Sequence, residues 1–276
     1  MMKYILLYIF LIEIVFSNNR IDIANRYIQK GEVNRAIKIL KKEANRGNLA
    51  AELKLAEIYY YNKSNIKKAL YWYKKASIKS AEANFQIGKI YQDINKSAKE
   101  IIKYYQKAAN LGSTKAIFTL ANIYYHGKIV PKDINKAISL YKKAANKGDK
   151  FSIYNLGYIY DNGIGVKQDL KKAFKYYLSA ANKGYIDAIY NVAIYYYQGK
   201  GVNKDKKKAF KWFKQAADRG DIESIYNIGV MYYQGDGILM NKIYAFKYLW
   251  QAAKFSHQKA QYTLDKLCKE SSWACK

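Results

Sequence analysis

The chain has 276 residues and a formal net charge of +28, with 49 Lys and Arg against 21 Asp and Glu. Half of it is hydrophobic and 16% is aromatic, including 30 tyrosines, which excludes a disordered polyelectrolyte. Two cysteines and one proline exclude a disulfide-dense miniature scaffold and a collagen-like chain.

The first stretch, residues 1–17, holds Lys3, an apolar run from Tyr4 to Ile12 and then Val15-Phe16-Ser17. That is the outline of a secretory signal. The run is shorter than the roughly 20 apolar residues of a bilayer-spanning helix, and Glu13 interrupts it. Cleavage after Ser17 is expected, with an uncleaved hydrophobic anchor as the rival. The mature chain, residues 18–276, is then periplasmic or secreted, without a stable membrane anchor. No cysteine lies near the cut, which removes the lipoprotein alternative.

From Ile21 to Gly47 an amphipathic pattern starts in degenerate form, through Ala24 and Tyr27, then Ala36, Leu40 and Ala44. Two compact units follow, through Ala51, Leu55 and Tyr59 to Trp72 and Ala76, then Ala83, Ile87 and Tyr91 to Tyr105 and Ala108. In these, Ser64-Asn65 and Asn95 are expected to start the second helix directly. Four longer units come next, with the loops Gly127-Lys128-Ile129-Val130, Gly163-Ile164-Gly165-Val166, Gly199-Lys200-Gly201-Val202 and Gly235-Asp236-Gly237-Ile238. From the second compact unit on, each unit closes on Ala-Ala, at Ala108, Ala144, Ala180, Ala216 and Ala252, a period of about 36 residues.

Within residues 149–184, Ser152, Leu156, Gly157 and Tyr160 make one helical stripe, and Ala173, Phe174, Tyr177 and Ala180 make another. The Gly-x-Gly between them suits a left-handed helix end, and Asp133, Asp169, Asp205 and Asn241 suit the N-caps that follow. Each unit is therefore a helical hairpin, and Gly157, Gly229, Ala173, Ala180 and Ala216 are packing positions. A last helix from His257 to about Cys268 has no successor and should cap the array.

The phrase carried by Ala188, Tyr190, Asn191, Val192, Ala193, Tyr196, Gly199, Gly201, Val202, Asp205, Lys208, Ala209, Trp212, Phe213, Ala216, Ala217 and Gly220 resembles the Sel-one-like repeat (SLR) family, relatives of the tetratricopeptide repeats. The resemblance runs from about residue 22 to residue 268 and implies an all-α, right-handed solenoid of antiparallel helix pairs. Such a fold implies a scaffold that binds proteins or peptides. Over residues 18–276 about six to seven repeats and a capping helix are expected, as one domain and a monomer.

Tyrosines at 124, 160, 196 and 232 recur one turn after the Leu-Gly pair and are assigned to packing. A second column, Phe118, Tyr154, Tyr190 and Tyr226, is followed in its last three members by Asn155, Asn191 and Asn227. Two readings stand. The asparagines bond between repeats, or Tyr154, Asn155, Tyr190, Asn191, Tyr226 and Asn227 form a ladder that holds an extended peptide backbone.

The charge points to acidic partners or anionic surfaces. It is almost all lysine, with arginine only at 20, 26, 35, 46 and 219, which argues against specific nucleic-acid recognition, since bidentate contacts favour arginine. Ser64, Ser139 and Ser256 each precede a lysine by three residues, but no further motif of penicillin-recognising serine enzymes accompanies them. The Helicobacter cysteine-rich branch of the resembled family carries weak penicillin-binding or β-lactamase activity, so that activity is the alternative function. No catalytic residue maps. His126 and His257 stand apart without nearby cysteines, and no metal or cofactor is expected.

Cys268 and Cys275 are expected to form a disulfide. On one continuous helix they would lie about 10 Å apart along the axis, beyond the roughly 7 Å that bridged Cα atoms allow. The helix must therefore end between them, in Glu270-Ser271-Ser272.

Overall fold

The structure, a computed structural model, describes residues 20–271 and residue 273. The predicted signal, residues 1–17, lies outside the described residues. The chain divides into two compact units, the first reaching Pro131 and the second starting at Lys132. All regular structure among the described residues is helical, in keeping with the all-α repeat architecture.

Unit 1 contains α1 (20–29), α2 (Val33–Asn45), α3 (Leu49–Glu57), α4 (Ile66–Ala76), α5 (Ala81–Asp93), α6 (Ala98–Asn110) and α7 (Thr114–His126). Unit 2 contains α8 (Ile134–Asn146), α9 (Lys150–Asn162), α10 (Leu170–Asn182), α11 (Ile186–Gln198), α12 (Lys206–Ala217), α13 (Ile222–Gln234), α14 (Lys242–Lys254) and α15 (Gln258–Glu270). Inside each unit successive helices pack on one another. Odd-numbered helices from α3 on open a repeat and even-numbered ones close it.

The repeat is held by two local devices. Gly163, Gly199 and Gly235 end α9, α11 and α13 in the left-handed region, where a Cβ is strained. Asp169, Asp205 and Asn241 then accept the N–H of Lys172, Lys208 and Tyr244 at 2.9, 2.9 and 3.0 Å. The loop is also tied back, because the backbone N–H of these caps donates to the carbonyls of Tyr160, Tyr196 and Tyr232 at 2.9, 2.8 and 2.9 Å. One loop glycine is a matter of space as well as angle. A Cβ on Gly201 would strike the Leu170 carbonyl at the start of α10.

The two compact repeats close the same tie over fewer residues. Asn65 N–H reaches the Tyr59 carbonyl at 2.7 Å and Lys96 N–H reaches that of Tyr91 at 2.8 Å. Residues 58–62 absorb the deletion by widening into a π-helical turn, and Ser64 takes φ 45°. Asn65 caps α4 as expected, accepting from Lys68 N–H at 3.0 Å. Asn95 does not start α6. It sits at φ 53°, and Ser97 caps the helix through Glu100 N–H at 3.3 Å, since a left-handed residue must first turn the chain.

The cores are small-to-large contacts between adjacent helices. A Cβ on Gly157 would lie 2.8 Å from the Tyr177 ring, and one on Gly229 would lie 2.8 Å from Leu249. Where α11 has Ala193 instead, its partner is Phe213, and both are buried. Gly157, Gly229, Ala173, Ala180 and Ala216 are all interior.

Candidate binding surface

The column singled out in the sequence is half-buried along α9, α11 and α13. Tyr154 lies 5.5 Å from Tyr177 of α10 and 4.8 Å from Tyr185, the residue that leads into α11. Tyr190 lies 5.9 Å from Phe213 of α12. Tyr226 stacks at 4.5 Å on His257, the residue that leads into α15. Each ring is thus wedged within its own repeat or against the next one. Burial pushes the Tyr154 and Tyr190 hydroxyls above the ordinary tyrosine range, so both stay neutral donors.

Two of the three asparagines face the tyrosine hydroxyl of the preceding repeat. Asn191 Nδ2 donates to the Tyr154 hydroxyl at 3.5 Å, a long contact between repeats. Asn227 Nδ2 donates to the Glu223 carbonyl one turn earlier at 2.8 Å, and its side chain also reaches the Tyr190 hydroxyl of the preceding repeat. Asn155 makes no side-chain hydrogen bond to a described residue, and the residue 37 positions before it is Phe118, which has no hydroxyl.

Around this column the surface is aromatic and weakly acidic. Phe151 and Tyr158 are exposed on α9, and Asp187 and Glu223 are exposed on α11 and α13. Lysine is nearly missing: α9 has Lys150, and α11 and α13 have none. The lysines stand on the closing helices, three each on α8, α10 and α14 and five on α12. The two features read from the sequence, the tyrosine-asparagine column and the basic charge, therefore occupy different faces of unit 2.

An edge of charged pairs joins successive repeats. Asp161 takes Lys200 Nζ at 3.2 Å and the Tyr177 hydroxyl at 3.4 Å. Asp236 takes the Tyr197 hydroxyl at 2.7 Å and the ammonium of Lys206. Glu270 takes the Tyr233 hydroxyl at 2.6 Å. The bond to Asp236, then burial, pushes the Tyr197 hydroxyl up to about 12, and the Glu270 bond does the same to Tyr233.

The sequence placed the start of the last helix at His257 but not the contacts of its ring. Its Nδ1 accepts the Ala260 N–H at 3.0 Å and so caps α15. Its Nε2 therefore carries the proton that faces Glu223 Oε1 at 3.1 Å. Stacking on Tyr226 completes a structural role that a lone histidine in a sequence does not announce. Asp149 and Asp221 were missed too, although each stands three residues before the serine whose N–H it accepts at 2.7 Å.

Two shallow depressions of unit 2 lie away from the column. One is lined by Val166, Lys167, Gln168, Lys171 and Gly201, the other by Asn135, Ser139, Lys142, Lys143 and Val166. Among the described residues no group of three or more His, Cys, Asp or Glu is placed to hold a metal ion. Cys268 is half-buried in the last turn of α15. Its expected partner Cys275 lies outside the described residues.

These features define a helical-repeat scaffold, and the profile of the Sel1 repeat matches residues 49–79, 81–113, 114–149, 151–185, 186–221 and 222–254. The chain belongs to the Sel1 repeat family. It is similar to a protective antigen of uropathogenic Escherichia coli strains that displays an SLR fold, with 26% identity and a TM-score of 0.81 over 91% of this chain. The chain spans 56% of that protein's length. A Sel1 repeat protein from Oxalobacter formigenes is similar in fold, with 23% identity, a TM-score of 0.75, and 91% of this chain and 77% of that one covered. Helicobacter pylori cysteine rich protein B is 30% identical over 46% of this chain and 91% of its own, with a TM-score of 0.38. No curated protein matches the chain.

Proposed function

We propose that the chain is an exported binding scaffold that holds an extended polypeptide across α9, α11 and α13. The observation that carries this reading is the same half-exposed tyrosine-asparagine pair at three successive repeats, with Asn155 making no side-chain hydrogen bond to a described residue and Asn191 in a contact of 3.5 Å. A peptide backbone supplies donors and acceptors at regular spacing and competes readily with so long a bond. The acidic side chains Asp187 and Glu223 favour a segment with some basic residues on this face, whereas an acidic partner belongs on the lysine face.

The test is joint replacement of Asn155, Asn191 and Asn227 by alanine, read by capture of partners from the native envelope fraction and by thermal midpoint. Capture should weaken while helicity and midpoint stay close to wild type. A loss of stability with unchanged capture overturns the reading and makes the asparagines structural.

Export rests on residues 1–17. N-terminal sequencing of the native protein should begin at Asn18, and an intact Met1 in a cytoplasmic fraction would sink it. The same compartment supports a Cys268–Cys275 bridge, which would stabilise the end of unit 2 by about 2–3 kcal/mol in the chain-entropy account. Mass spectrometry after non-reducing alkylation should find the two cysteines unmodified and linked.

A further inference from the structure

The last full repeat departs from its predecessors on its outer face. At the positions filled by Lys167, Gln168, Lys171 and Lys172 in one repeat, and by Asn203, Lys204, Lys207 and Lys208 in the next, it has Leu239, Met240, Ile243 and Tyr244. These four are exposed, Leu239 by 89% and Ile243 by 64%. The change also alters packing. Lys172 and Lys208 lie over the rings of Tyr160 and Tyr196 at 4.1 and 5.4 Å, whereas Tyr244 stacks on Tyr232 at 5.1 Å.

The apolar face continues along α14. Ile243, Lys247, Trp250 and Lys254 follow the i, i+4, i+7, i+11 spacing of one stripe, and all are exposed. Trp250, with Lys254 5.5 Å from its ring, is 51% exposed. From Gly237 to Leu264 the chain has no acidic residue, while Lys242, Lys247, Lys254 and Lys259 fall inside that span. No helix among the described residues is long and apolar enough to cross a membrane.

We infer that this face docks on the surface of an anionic lipid bilayer, with Leu239, Met240, Ile243 and Trp250 entering the headgroup region and the neighbouring lysines contacting lipid phosphates. The chemistry is that of an interfacial helix, where aliphatic and tryptophan side chains lie beside lysine and the nearby carboxylates Asp205, Asp218 and Asp236 are each paired with a lysine. Lys171, Lys175, Lys207 and Lys211 on the preceding closing helices are exposed and extend the same sign of charge. A second copy of the chain fits the face less well, because it brings the same lysines and a net charge of +28 to the contact. This surface is distinct from the tyrosine-asparagine column, so the inference goes beyond the scaffold reading.

The experiment is flotation of the full chain with vesicles of phosphatidylglycerol mixed with phosphatidylcholine, against phosphatidylcholine alone, with quenching of tryptophan emission by brominated lipid. The protein should float with the anionic vesicles only, and added salt should weaken it. Leu239→Ser/Ile243→Ser/Trp250→Ser should lower the partition constant by about tenfold or more with helicity unchanged. Leu239→Ser alone, at a fully exposed loop position, gives a smaller loss in the same direction and guards against misfolding of the triple variant. Residues 1–17 are common to all variants, so the difference reads the last repeat. Equal flotation of wild type and both variants overturns the inference, as does no flotation at all. A concentration-dependent dimer abolished by the triple variant would instead make the face a self-interface, and retention of an acidic protein without flotation would make it a protein-docking site.

Discussion

The opening and closing helices of unit 2 share a period and a core, yet their outer faces differ in chemistry. On α9, α11 and α13 the exposed positions are aromatic, amide or acidic, whereas on α10 and α12 they are mostly lysine. The difference shows that the formal charge of +28 is not spread evenly over one binding surface. Part of it is packing. Lys172 and Lys208 set their ammonium groups over the tyrosines that the loop ties hold in place, and Lys68 does the same over Tyr59 at 5.4 Å in unit 1. Lys171 and Lys207, one residue earlier, have no ring beneath them among the described contacts and point their charge at solvent.

The largest expected effect lies in the seam that separates the two faces. Gly157→Ala sets a methyl 2.8 Å from the Tyr177 ring, which is buried between Tyr154 and Tyr195. Overpacking of this kind should cost about 1–3 kcal/mol in urea unfolding. A cost near zero would mean that α9 and α10 slide apart freely, and the two faces would lose their fixed separation. The lysines give a finer cut. Lys172→Ala and Lys208→Ala should each cost roughly 0.5–1 kcal/mol through the lost ring contact, while Lys171→Ala and Lys207→Ala should stay within about 0.5 kcal/mol of wild type. Equal costs for the two pairs would erase the distinction between packing and solvent lysines.

Much of this architecture was legible because its signals are local. The Gly163-x-Gly165 loop and the Asp169 cap lie within a few residues of the turn they build, so glycine and aspartate at fixed offsets suffice to place them. The capping aspartates Asp149 and Asp221 carried an equally local signal that went unused. The end of α3 was not legible, because its widened turn follows from a backbone tie between Asn65 and Tyr59 that exists only once the loop has closed. Asn95 failed for the same reason. At the candidate site the tyrosine-asparagine period was plain, but the partner of Asn191 is 37 residues away and appears only when α9 and α11 are side by side. The segregation of lysine onto closing helices is a matter of register. It was written in the repeats but hidden by reading the charge as one sum.

Asp236, like Asp161, touches both kinds of helix, and its contribution should depend on pH. Asp236 accepts from Tyr197 of α11 and from Lys206 of α12. Burial works against its charged form, but the bonds from Lys206 and Tyr197 and the nearby ammonium groups outweigh it and hold its carboxyl below the ordinary aspartate range. A depressed folded-state value means that the carboxylate contributes stability above its unfolded value, roughly pH 3.9, and that this contribution is lost as pH falls through the folded value. Asp236→Asn should therefore lower the thermal midpoint slightly at pH 7, by the equivalent of up to about 1 kcal/mol for a pair near the surface. The gap to wild type should narrow as pH falls below about 4, because protonation then removes the same charge from the native protein. A gap that persists undiminished at pH 3 would show that Asp236 acts through shape and hydrogen bonding alone, and that no charge couples the aromatic face to the lysine face at this edge.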